Sequence, residues 1–146
     1  MPRRRPERAR PRSRARPAAR RETKPTEAER RLLDLARELS ARPGAGVSGA
    51  LGLLAAAHAP DAPLPRAMAQ AWIRGREDKT AALALAWARE QVRLALEEIL
   101  AQASHRSALT PSVETRAWLL LAAAESIAHE PEAAAADRLR ALLDLA

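Results

Sequence analysis

Cysteine is missing from all 146 residues, and so are phenylalanine and tyrosine. Without cysteine there is no disulfide framework, no thiolate nucleophile and no zinc–sulfur site. Three tryptophans are the only aromatic side chains, and β-branched residues are scarce. Strand formers are therefore nearly absent, and no alternating run of them stands between turn signals. Long apolar runs are lacking too. The longest, Ala81–Ala88 and Ala117–Ala124, fall far short of a bilayer span. The basic N-terminus is not followed by an apolar stretch, so no secretory signal is expected. A transit peptide is disfavoured because prolines break any amphipathic helix there. These absences leave a soluble helical protein of a reducing, cytoplasmic setting as the expectation.

What remains is alanine, leucine and arginine, with arginine outnumbering lysine 23 to 2. That bias points to a GC-rich, bacterial genome. The net charge of +7 is unevenly placed. Residues 1–30 hold 12 Lys/Arg against 4 Asp/Glu, whereas residues 31–146 hold 13 against 14. The chain thus divides into an Arg/Pro-rich tail over residues 1–25 and a nearly neutral domain over residues 26–146. The tail carries Arg3, Arg4, Arg5, Arg8, Arg10, Arg12, Arg14 and Arg16, spaced by prolines. It has too little apolar surface to offset its ordering entropy and is expected to be disordered. Such a tail neutralises phosphates without reading sequence, and it lacks aromatics for base stacking. The plain alternative is a low-complexity extension, or a start codon set too far upstream.

From Thr26 on, apolar residues recur at helical spacing. Thr26 and Glu29 form a capping box, and Pro43-Gly44 ends the first helix. A short second helix over about Gly49 to His58 is apolar nearly all round, so it is expected to be buried. A third starts near Leu64, with Pro65 in its first turn and Gly75 as an interruption or a kink. Its stripe is Leu64, Met68, Ala71 and Trp72. The fourth runs from about Asp78 to His105, with Leu85, Val92, Leu96, Ile99 and Ala103 on one face and Leu83, Trp87 and Leu94 to its side. Thr110-Pro111 caps and opens a fifth, to about His129, with Val113, Ala117, Leu120, Leu121, Ala124 and Ile127 inward. Pro131 opens a sixth, with Leu139, Leu142 and Leu143 inward. The expected fold is all-α, a bundle of about six helices.

Few residues point to chemistry. Gly44 to Gly49 matches GxGxxG literally, but a helix precedes it and no βαβ unit surrounds it. A helix end and a flexible loop explain it better. Ser48 lacks the second glycine of a nucleophile elbow. His58, His105 and His129 lie near helix ends, where the dipole stabilises an imidazolium, and share no metal-ligand spacing. No catalytic residue, metal or cofactor is assigned. Most carboxylates sit beside arginines, as Glu90 does before Arg93 and Asp34 before Arg37, and read as solvated ion pairs. Glu125 differs, lying among Leu121, Ala124 and Ile127. It reads either as a rim position or as facing a cavity or a symmetry partner. Core packing is the plainer reading of Trp72, Trp87 and Trp118. The functional one makes them, with Met68, the lining of an apolar ligand pocket.

Residues Ala103 to Pro111, followed by Val113 to Ala124, resemble the later part of the ligand-binding and dimerisation domain of TetR-type (tetracycline-repressor-like) regulators. In that family a long helix ends in a short basic turn, and a Leu and a Pro introduce an Ala/Leu-rich helix. The resemblance implies a non-enzymatic domain and a homodimer formed by the last two helices. Its contacts here would include Val113, Leu120, Leu121, Ala124, Leu139 and Leu142. It also implies a small apolar ligand. Arg31 to Leu39 resembles the family's first helix, and Ala45-Gly46-Val47-Ser48 resembles its turn before the recognition helix. Only Ser40 to Ala45 stand where the family places another helix, and Ala50-Leu51-Gly52-Leu53-Leu54 replaces the recognition helix. No intact helix-turn-helix, and no polar face able to enter a major groove, is expected. The alternative reading is a nucleic-acid-associated protein whose arginine tail contacts the phosphate backbone non-specifically.

Overall fold

The computed structural model describes residues 24–103 and 111–143, except the side chains of Pro43, Glu132, Leu139, Leu142 and Leu143. The expected disordered tail, with its eight arginines from Arg3 to Arg16, lies outside the described residues, as does His105.

Thr26 starts α1 (Glu27–Ala41) as the sequence predicts: its hydroxyl accepts from Glu29 N–H at 3.3 Å and donates to Glu29 Oε1 at 2.8 Å. Ala28, Leu32, Leu35, Ala36 and Leu39 then bury one face. After Arg42 the chain makes a short 3₁₀ turn, Pro43–Ala45, and enters α2 (Gly46–Ala57). The flexible loop expected over Gly44 to Gly49 is therefore helical, Gly44 and Ala45 in the 3₁₀ turn and Gly46 to Gly49 in α2, which begins three residues early. Gly46 takes a φ of 61°, a left-handed value that a side chain resists, and so redirects the backbone into the helix. Val47 packs against the core in that first turn, which offsets the poor helix propensity of the glycines around it.

Pro63 and Pro65 occupy the first turn of α3 (Pro63–Gly75), where backbone N–H groups have no helical acceptor anyway. Gly75 ends this helix instead of kinking it. A methyl there would stand 3.3 Å from both Cα and Cβ of Ala82, so glycine lets the next helix come close. Asp78 caps α4 (Lys79–Ala103), its Oδ1 accepting from Thr80 N–H at 2.9 Å and Ala81 N–H at 3.1 Å. For α5 (Val113–Ile127) the cap is Ser112, whose Oγ accepts from Thr115 N–H at 3.1 Å. Thr110, the expected cap, lies outside the described residues. α6 (Glu132–Leu143) completes an all-α domain of six helices, with no strand among the described residues.

The core is laid out around α4. Its Leu85, Ala88, Val92, Leu96 and Ile99 are buried, and α1, α2, α3 and α5 all pack on it. α6 rests on α2 and α5, contributing Ala135. Leu32, Leu39, Leu51, Leu54, Leu96, Leu100 and Val92 are the large apolar side chains closed off most completely. The inward stripes read from the sequence hold for α1, for most of α4, and for Ala117, Leu121, Ala124 and Ile127 of α5. Val113 and Leu120 are only half-buried, and Ala103 is exposed.

The tryptophans correct the plainer expectation. Trp72 is 40 % exposed, Trp87 57 % and Trp118 58 %, so none is a core residue. Each is next in sequence to a buried alanine, Ala71, Ala88 or Ala117. One helical position turns a side chain by about 100°. The alanine faces the neighbouring helix, and the indole is carried out of the contact.

Replacing Leu96 with Ala is expected to cost about 2–5 kcal/mol in urea unfolding. Trp87→Ala, although it removes more atoms, is expected to cost about 1 kcal/mol or less. Equal losses would contradict the placement of both residues.

Candidate functional site

The described residues contain one long-range ion pair, and it sits where α4 and α5 meet. Arg89 lies one turn after buried Leu85 and three residues before buried Val92, at the flank of the packed stripe. Glu125 follows buried Ala124 on α5. The guanidinium and carboxylate meet fork to fork, Nε donating to Oε1 at 2.6 Å and Nη2 to Oε2 at 2.5 Å. Glu125 is only 11 % exposed and Arg89 36 %. Glu125 thus pairs with a cation of its own chain at the edge of the core. The carboxylate holds the Arg89 guanidinium in its charged form, above its ordinary pKa. Arg93, one turn on, is gripped by Glu90 and Glu97 and is largely covered. The expected solvated pair of Glu90 and Arg93 is thus a tighter clamp than the spacing alone implies.

His58 ends α2 near this pair and is 1 % exposed. Its Nδ1 lies 3.0 Å from the carbonyl oxygen of Leu54. A neutral ring in that position donates through Nδ1–H, which leaves Nε2 as a bare acceptor. Nε2 is buried and has no hydrogen-bond partner. Burial pushes the imidazole below its usual value, the Leu54 carbonyl and the Glu125 carboxylate pull the other way, and Arg89 adds to the lowering. The dipole-stabilised imidazolium expected at this helix end is therefore a neutral, buried ring. His129, just past α5, is exposed and stacks against Trp72, the ring centres 6.3 Å apart and inclined at 30°.

Beside the ion pair, α3 and α4 enclose a hollow of about 270 Å³. Trp72, Arg76 and Arg89 line it together with Ala71, Gly75, Ala82, Leu85 and Ala86. A second hollow, about 400 Å³, lies between α1, α2 and the start of α3, with Arg31, Asp34 and Glu38 in its wall. A third, about 720 Å³, is a groove between α1 and α4 that carries Leu33, Trp87, Leu94, Arg37 and Glu98.

Met68, Trp72, Trp87 and Trp118, expected to line one pocket, lie apart in the fold. Met68 is buried in the core, Trp72 and Trp87 line different hollows, and Trp118 lines none of the three. The expected dimer contacts also divide. Leu121 and Ala124 are covered by their own chain and have no surface left for a second copy. Val113 and Leu120 keep part of theirs, and the side chains of Leu139 and Leu142 lie outside those described. The outward face of α5 instead carries Trp118 and Leu119, 58 % and 48 % exposed.

No family model, no curated protein and no solved structure matches this chain. Among the described residues no group of His, Asp or Glu could hold a metal ion, and no helix is long and apolar enough to cross a membrane.

His58 sets a pH dependence. The unfolded chain takes up this proton near the ordinary imidazole value of 6.5, and the folded chain only at lower pH. Between the two values the unfolded state binds more protons, so acid favours unfolding. Stability is expected to be level above that value and to fall below it by up to ~1.4 kcal/mol per pH unit. Urea titrations at about pH 7.5 and about pH 5.5 check this, with His58→Leu expected to lose that part of the slope. An unchanged slope in the variant would contradict the burial of a neutral ring.

Proposed function

We propose that this chain is a non-enzymatic, regulator-like helical domain that pairs with a second copy of itself and takes a small, largely apolar ligand. The observation that carries the reading is the surface placement of all three tryptophans, with Ile73, Leu83, Leu94 and Leu119 exposed beside them. Apolar surface of this kind marks sites of association when it is contiguous. Trp118 and Leu119 are adjacent on α5, with half-buried Leu120 behind them. A two-fold pairing along α5 repeats each such contact twice. The order of elements, a 25-residue helix followed by helices of 15 and 12 residues, supports the likeness to a TetR-type C-terminal domain. The non-enzymatic reading draws support from the titratable groups. Glu125 is occupied by Arg89, and His58 is closed off from solvent.

α2 supports reading the domain without a DNA-reading helix. Its inward residues Ala50, Leu51, Leu54 and Ala55 are core, and Ser48 is its one polar side chain. A second reading rests on the tail, where the whole basic excess of the sequence lies. There the helices would only assemble a phosphate-binding segment.

Light scattering separates the two. The full chain is expected to be a dimer that survives removal of residues 1–25, and the double substitution Trp118→Glu with Leu119→Glu is expected to give a folded monomer by circular dichroism. A monomeric wild-type chain, or a dimer indifferent to those charges, overturns the association reading. DNA retention at low salt that disappears with the tail favours the second.

A further inference from the structure

The three hollows differ in charge as well as in size. The one beneath α2 carries two carboxylates and one guanidinium, and the groove between α1 and α4 carries one of each. The hollow between α3 and α4 is lined by two guanidiniums, Arg76 and Arg89, and, among the described residues, by no carboxylate. Glu125 neutralises Arg89 from the α5 side and holds it rigid, so one positive charge remains over. Charge complementarity then calls for a monoanion.

The walls specify the rest of the ligand. Ala71, Ala82 and Ala86 are short, Leu85 is a buried floor, and Gly75 admits the close approach of Ala82. Trp72 supplies the one broad flat surface. His129 stacks on the same indole but does not line the hollow, so the surface facing the hollow is not taken. At about 270 Å³ the space lies just under the range usual for drug-sized ligands, and suits one ring with a short acid group.

We infer that this hollow binds a small planar monocarboxylate, with its ring against Trp72 and its carboxylate between Arg76 and Arg89. The inference rests on the ligand-binding half of the proposed function and gives that ligand a chemical class. Arg76 is exposed and supplies the carboxylate's second partner. Arg89 presents a guanidinium already fixed by its bidentate bond, so little rotamer entropy is lost when the anion arrives.

Benzoate is the probe, with benzamide as its neutral twin of nearly the same shape. Calorimetric titration of the full chain is expected to show saturable benzoate binding and about tenfold or weaker binding of benzamide. Arg76→Gln is expected to weaken benzoate about tenfold while leaving benzamide unchanged. Ala86→Phe, at an exposed position of α4, fills the hollow without touching the core and is expected to abolish binding of both. Equal affinity for the two probes, benzoate binding indifferent to Arg76→Gln, or no benzoate binding at millimolar concentration would each overturn the assignment. Light scattering on the same samples keeps the two claims apart. A dimer that ignores benzoate removes the ligand class and leaves the association. A monomer that binds benzoate removes the association and leaves the ligand class.

Discussion

The close approach of short side chains onto α4 governs the rest of the molecule. Ala88 and Val92 of α4, and Ala117 and Ala124 of α5, are all fully covered. Alanine brings helix backbones near each other, and leucines such as Leu32, Leu51, Leu54 and Leu96 fill the space between. A core built this way has no slot for an indole. The tryptophans are turned out to the surface for that reason, and the surface acquires the apolar character that the core leaves over. Packing inside and apolar exposure outside are two sides of one compositional constraint.

Charge enters where that packing stops. Arg89 lies in the first half of α4 and Glu125 in the last turn of α5, and their fork-to-fork bond fixes one helix against the other. A half-exposed pair of this kind adds only modestly to stability, because water screens the guanidinium. Its geometric effect is larger. It holds a rigid cation at the edge of the hollow between α3 and α4 and a carboxylate near His58. The ion pair links α4 to the last turn of α5, and the Trp72–His129 stack links α3 to the segment just past α5.

Much of the fold was legible because it is local. Thr26 and Glu29 announce the start of α1 within four residues, and the stripe Leu85, Val92, Leu96, Ile99 marks the inward face of α4 by period alone. Two local readings still missed. Ser112 caps α5, and α2 starts inside a glycine-rich stretch because Val47 finds the core, which propensity cannot foresee. The site was much less legible. Arg89 and Glu125 are separated by 36 positions, and no spacing rule pairs residues that far apart. Glu125 stood out only as a carboxylate among apolar neighbours. His58 looked like any imidazole at a helix end, since its burial is made by other helices. The tryptophans misled because hydrophobicity suggested core, whereas their place one step from a buried alanine decided the matter.

Hydrogen exchange along the full chain tests the central role of α4 most directly. Amides from Leu85 to Leu100, shared by four packed neighbours, are expected to exchange last, and only by opening of the whole domain. Those of α6, which packs mainly on α2 and α5, are expected to exchange earlier. An α4 that exchanges as fast as α6 would contradict a fold organised around it.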